Sequence, residues 1–251
     1  MNCWTLDRFS SPVGAANCRA KFDTKWVERI RDHNEQRLVR RLLGALPESD
    51  RTGLVLDLPC GFGRFFPALS DVAPRVIQGD WSPHMLQAAR RRLNGNGHTH
   101  TPSGYVRATA LTLPFANNAF DLVLSVRFCH HLPTCEERNQ YLGEILRVSG
   151  KWVVFTYLDT YSLKNILHTC KRRFSGRRPK WTMTAREVAE FARESGFHVV
   201  RSIALSRLFS GQQYVVLRRT EHGLATKAAD RRAAVHAIDG TFSGTRPSPE
   251  A

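Results

Sequence analysis

The stretch "VLDLPCGFGR", residues 55–64, decides the reading of the fold. Together with Leu54, its first half is a short continuous apolar run of the kind found in a strand buried on both faces. Its second half places Gly61 and Gly63 in the turn that follows. Glycine permits φ > 0 and close approach of a ligand, and the helix-like "RFFPALSDV" over 64–72 offers unpaired N–H groups just beyond. Two details set the loop apart. Pro59 stands where such loops usually carry their first glycine and supplies no N–H. Phe66 occupies the position of the third glycine of a dinucleotide fingerprint, which removes the packing glycine a nicotinamide or flavin site needs. Asp57 would repel a pyrophosphate and suits a cationic ligand.

Outward from this loop the alternation of strand and helix repeats. "RVIQGD" (75–80) is a second strand, after which Ser82 as N-cap and Pro83 as first helical residue open a helix with Met85, Leu86, Ala89 and Leu93 on one face. "YVRATAL" (105–111), "FDLVLSVRF" (120–128), "KWVVFTYL" (151–158), "FHVVRSIAL" (197–205) and "QQYVVLRR" (212–219) read as further strands. Capping-box spacing at Thr134 and Glu137 starts a helix whose apolar face is Tyr141, Leu142, Ile145 and Leu146; Thr184 and Glu187 start another that stops at Gly196. Upstream, Trp26, Val27, Ile30, Leu38, Val39, Leu42 and Leu43 recur at near-helical spacing and predict a helix over residues 22–46 that leads into the core. Residues 161–174 predict an amphipathic helix through Leu163, Ile166, Leu167, Cys170 and Phe174. Strands and helices alternating in this way predict an α/β fold with a doubly wound, mostly parallel sheet, whose ligands bind beyond the carboxyl ends of its strands. The chain divides into an N-terminal helical segment, 1–50, that covers the site, a main domain over 51–220, and a tail over 221–251 whose lack of periodicity predicts disorder.

Composition narrows the class. A chain of 251 residues that is 42% hydrophobic can bury a real core. No early apolar run resembles a secretory signal, and no segment approaches the roughly 20 apolar residues of a membrane span, so the expectation is a soluble, cytoplasmic protein. The six cysteines include no C-x-x-C pair, which supports neither a metal site nor a disulfide framework. Of the net charge of +15, residues 161–220 carry +10, most of it in "KRRFSGRRPK" (171–180). The excess is local, which points to an anionic partner of one region.

Asp80, at the end of the second strand, is placed to accept both ribose hydroxyls of an adenosine, or alternatively to cap the following helix. Here three blocks in order, "VLDLPCGFGR", "VIQGDWSPHMLQAAR" and "ALTLPFANNAFDLVLSVRFCHHL", resemble the class I S-adenosylmethionine-dependent methyltransferases of the small-molecule type over residues 52–160. The resemblance implies a Rossmann-like seven-stranded sheet with an antiparallel last strand, and S-adenosylmethionine as cofactor. It implies that Asp57, Gly61 and Gly63 line the methionine end of the cofactor, with Pro59 and Cys60 in the same loop. It further implies that Asp80 holds the ribose with Trp81 beside it, and that "ALTLPF" flanks the adenine. Thr109 replaces the acidic residue usual in that last block, so the adenine amino group would meet its hydroxyl or the backbone at Ala110.

Methyl transfer from a sulfonium is an in-line displacement in which positioning supplies most of the acceleration, and a base matters only for acceptors that must lose a proton. Candidate catalytic residues follow the fourth strand in "SVRFCHHL": His130 and His131 as bases for an oxygen or nitrogen acceptor, Arg127 to steer an anionic one. The acceptor is expected under residues 158–182. The basic run there suits a small anionic acceptor or a lipid-linked one on an anionic membrane touched peripherally, and RNA less well. Two other readings stay open: an RNA methyltransferase, and a non-catalytic binding module on a degenerate methyltransferase fold.

Overall fold

The computed structural model describes residues 11–24, 26–50, 53–95, 100–168, 181–206 and 210–220. The N-terminal segment forms two helices, α1 (Pro12–Thr24) and α2 (Trp26–Gly44). Then follow β1 (Leu54–Asp57), the short α3 (Phe66–Ser70), β2 (Arg75–Asp80), α4 (Pro83–Gly95) and β3 (Gly104–Arg107). The second half holds β4 (Phe120–Ser125), α5 (Cys135–Val148), β5 (Ser149–Leu158), α6 (Ala185–Glu194), β6 (Phe197–Ala204) and β7 (Gln212–Arg219). The strands make one seven-stranded sheet in the order β3-β2-β1-β4-β5-β7-β6. The first five are parallel, while β7 runs antiparallel to both β5 and β6. The mostly parallel sheet expected from the sequence is therefore present, with β7 inserted between β5 and β6.

Side chains alternate between two apolar layers, as the period of a strand requires. Val55, Leu122, Leu124, Trp152 and Val154 face α2, α3 and α4, where Val39, Leu42, Leu43, Phe66 and Leu69 meet them. Leu56, Val123, Val153 and Phe155 face the other way, onto Tyr141, Leu142, Ile145 and Leu146 of α5 and Val188 of α6. The helix starts follow the expected chemistry. Thr134 accepts the N–H of Glu137, and Thr184 and Glu187 close a reciprocal capping box before α6. Gly196 ends α6 at φ +77°, the left-handed conformation that glycine adopts without penalty.

Two expectations need correction. Residues 22–46 are not one helix leading into the core: only the second half of α2 does so, with Glu35, Val39, Leu42 and Leu43 buried, while Trp26, Val27 and Ile30 face outward. Residues 163–168 are helical as expected, but Leu163, Ile166 and Leu167 are exposed; the rest of that helix and the basic run at 171–180 lie outside the described residues, as does the tail expected over 221–251.

Candidate active site

In the sheet order, β1 is followed by a loop that runs toward β2 and β4 by one that runs toward β5, so a crevice opens where they part, at the carboxyl edge. The loop after β1 is anchored on both sides of Pro59, whose peptide bond to Leu58 is cis: the Leu58 N–H donates to the Leu124 carbonyl at 2.9 Å and the Cys60 N–H to the Gly79 carbonyl at 2.7 Å. Pro59's missing donor thus leaves the loop well tied. Gly61 takes φ +56° with nothing within 4 Å of where a Cβ would stand, and its N–H donates to Asp80 Oδ2 at 2.9 Å. Asp80 Oδ1 accepts the Ser82 N–H at 2.9 Å, so this one carboxylate joins the glycine loop to the start of α4. Burial pushes the pKa of Asp80 up to about 6, partly offset by those backbone donors.

A cavity of about 450 Å³ occupies the crevice. Pro59, Cys60 and Gly61 from the loop after β1, Asp80 and Trp81 after β2, Met85 of α4 and Ala110 after β3 line it. Arg127, Phe128, His130 and His131, from the segment after β4, line it as well. Cys18 and Arg31 from the N-terminal helices, and Lys164 and Asn165 after β5, complete the wall. The volume lies in the range of about 300–1,000 Å³ usual for ligand pockets.

Three expected cofactor residues do not reach the cavity wall. Asp57 is buried beneath the loop, 1% exposed, beside Gln78 on the neighbouring strand; burial pushes its pKa up to about 8. Gly63, at φ +75°, serves packing: a Cβ there would come within 3.0 Å of Leu93 on α4. Thr109 pairs with Thr112 in a turn and its hydroxyl accepts the Leu111 N–H, so Ala108 and Ala110 face the cavity instead.

Arg127 holds an unexpected position. It has φ +63°, its N–H donates to Thr156 Oγ1 at 2.7 Å, and its guanidinium donates to Glu35 Oε1 through Nε at 2.9 Å and Nη2 at 2.6 Å. The other oxygen of Glu35 accepts from Arg64 Nη2 at 2.7 Å, and Asp32 accepts from Arg64 Nε at 2.7 Å. Two acids of α2 therefore bind the arginine that follows the glycine loop and the arginine that follows β4. A fully buried glutamate charge between two guanidinium groups is the arrangement in which burial can be tolerated. Arg127 thus reaches the cavity wall, as expected of it, with its guanidinium paired to Glu35, which ties α2 to the segment after β4. His130 and His131 sit on a single 3₁₀ turn, Cys129–His131, with ring centroids 4.1 Å apart.

Sequence patterning could not have supplied Cys18, Arg31 or Asn165, whose place in the wall depends on how distant segments pack. Met85 carried a signal that pointed elsewhere, to the core face of its helix. No group of three or more His, Cys, Asp or Glu placed to hold a metal ion occurs among the described residues.

The sheet order, the loop after β1 and the crevice are those of the Rossmann-like fold seen in methyltransferases. Residues 56–154 match the family model described as "Methyltransferase domain". A protein named as a methyltransferase in Encephalitozoon cuniculi is 32% identical over 149 residues, covering 54% of this chain and 64% of that protein. A demethylmenaquinone methyltransferase of Clavibacter sepedonicus is 35% identical over 94 residues, 38% of this chain and 36% of that one. The chain thus spans less than two thirds of the length of either relative. Among solved structures, magnesium protoporphyrin IX methyltransferase from Synechocystis with bound SAH superposes with a TM-score of 0.74 at 17% identity, over 88% of this chain and 100% of that one. At that identity the likeness is one of fold.

Proposed function

We propose that the protein transfers a methyl group from S-adenosylmethionine to an oxygen, nitrogen or carbon atom of a small or lipid-linked acceptor of anionic character. The observation that carries the reading is a cavity lined both by Gly61, Asp80 and Trp81 and by His130 and His131. S-adenosylmethionine, when bound, supplies a methyl group activated by its sulfonium. The chain's residues fit that group: Asp80 offers a buried carboxylate for the ribose hydroxyls, Gly61 an open backbone, and Trp81, Met85 and Ala110 apolar walls for the adenine.

The remaining task is alignment and water exclusion. The α1–α2 layer, held by Asp32 and Glu35, covers the cavity and supports both. A ring nitrogen of His130 or His131 takes the proton of a hydroxyl or amine acceptor. The excess of positive charge over residues 161–220, Lys164 on the wall included, favours an acceptor that carries negative charge.

The test is calorimetric titration with S-adenosylmethionine, followed by transfer of a labelled methyl group from it in cell extract. Micromolar binding and a labelled product are expected. Absence of heat at millimolar cofactor overturns the reading.

A further inference from the structure

Two helices at the cavity wall share one design. On α2, Arg31 lines the cavity and the second half of the helix enters the core, yet Trp26, Val27 and Ile30 at its start point outward. On the helical turn at 163–168, Lys164 lines the cavity, Asn165 is buried and donates to the carbonyls of Asp159 and Gly211 at 2.7 and 3.2 Å, and Leu163, Ile166 and Leu167 point outward. Each triplet spans an arc of about 100° on its helix, set by the 3.6-residue period. With Tyr161, these side chains are 45 to 74% exposed, in a protein whose other apolar residues of that size are mostly covered. The first turns of α2 and the turn at 163–168 thus set polar side chains inward and apolar ones outward, the reverse of a surface helix, which single exposed residues do not do.

What covers them is indicated by charge. The turn at 163–168 is followed in the sequence by 171–180, where six of ten residues are Lys or Arg; on α2 the exposed charges about the apolar start are Arg29 and Arg37, while the acids Glu28, Asp32 and Glu35 pair with Arg31, Arg64 and Arg127. Apolar side chains interspersed with lysine and arginine match an anionic bilayer, whose headgroups attract the cations while the acyl boundary accepts the apolar groups. We infer that the two helices rest on an anionic lipid surface, with the cavity mouth between them opening toward an amphiphilic acceptor held there. The docking is peripheral: among the described residues no helix is long and apolar enough to cross a membrane. The inference deepens the acceptor class proposed above and rests on that reading only for the acceptor, not for the docking.

The experiment is co-sedimentation of the full chain with phosphatidylcholine vesicles containing about 30% phosphatidylglycerol, against vesicles of phosphatidylcholine alone, with no cofactor or acceptor present. Binding to the anionic vesicles that weakens as salt rises is expected. A triple variant, Ile30→Ser, Leu163→Ser and Leu167→Ser, touches no cavity residue; it should bind anionic vesicles at least tenfold more weakly while its melting temperature and cofactor affinity stay at the wild-type values. Three results would overturn the inference: wild-type chain left in the supernatant, a triple variant that binds as well as wild type, or a lipid-free wild-type dimer that the triple variant turns into monomer, which would assign the two faces to a second copy of this chain. Vesicle binding without any cofactor heat would leave the docking standing and remove the methyltransferase reading, so the two fail separately.

Discussion

At the scale of single residues, Asp80 does two things at once, closing the glycine loop through Gly61 and Ser82 and presenting a carboxylate to the cavity. Asp80→Ala should therefore weaken S-adenosylmethionine binding at least tenfold by calorimetry, since hydrogen bonds to a charged acceptor are worth roughly 1.5–3 kcal/mol each. Asp80→Asn, which keeps one acceptor oxygen, should fall between. Asp57 makes a different prediction. Its carboxyl, ordinarily ionised above 3.8, is held neutral by burial up to about pH 8. A raised pKa contributes stability that is complete below the unfolded value and is lost as pH rises through the folded one. The ligand-free protein should thus lose thermal stability from about pH 4 to 8, and Asp57→Asn should flatten that slope, leaving the part between about 4 and 6 that belongs to Asp80. Melting curves across that range check it. Spacing alone put Asp80 and Gly61 where the cavity wall lies, because strand ends and turns are local features. That Asp57, Gly63 and Thr109 stand off that wall was not legible, since whether a loop side chain faces a cavity or a neighbouring helix depends on contacts such as that between Gly63 and Leu93.

At the scale of elements, the strands β2 and β7 and the two capped helices agree with the reading from periodicity and caps, because each is specified by residues within itself. The N-terminal helix α2 is not specified in that way. Its apolar start and its buried acids look inverted in isolation, and only the arrival of Arg64 and Arg127, 29 and 92 residues from Glu35, makes the pattern coherent. Glu35→Ala removes the shared partner of both arginines. Breaking a buried pair in this manner costs about 3–5 kcal/mol, which denaturant unfolding would register. Glu35→Gln, which retains an acceptor but no charge, should cost less. The substitution should also raise both the cofactor Kd and the acceptor KM, since α2 is tied to the loop after β1 and to the segment after β4, both of which line the cavity.

At the scale of the whole molecule, one cavity fed by loops from both halves of the sheet makes ligand binding a property of the complete domain. Cofactor at about 100 times its Kd should stabilise the folded state by about 2.7 kcal/mol, which for a domain of this size raises Tm by several degrees; a thermal-shift titration reads it directly, and an unchanged Tm would mean the cavity does not hold the cofactor.

The position of β7 has a consequence for how the chain is made. β5 pairs on one side with β4 at Ser149 and over residues 152–155, while over 152–158 its other side is covered by residues 212–218 of β7, the last strand among the described residues; β6, though made earlier, reaches the sheet through β7 alone. During synthesis from the N-terminus, a ribosome exposes the long and almost wholly buried β5 some sixty residues, or several seconds at about 5–20 residues per second, before the strand that caps its edge emerges. Through that interval the nascent chain carries an unpaired apolar edge, and a translational pause inside it leaves the chain open to chaperone capture or to aggregation with its neighbours on the same message.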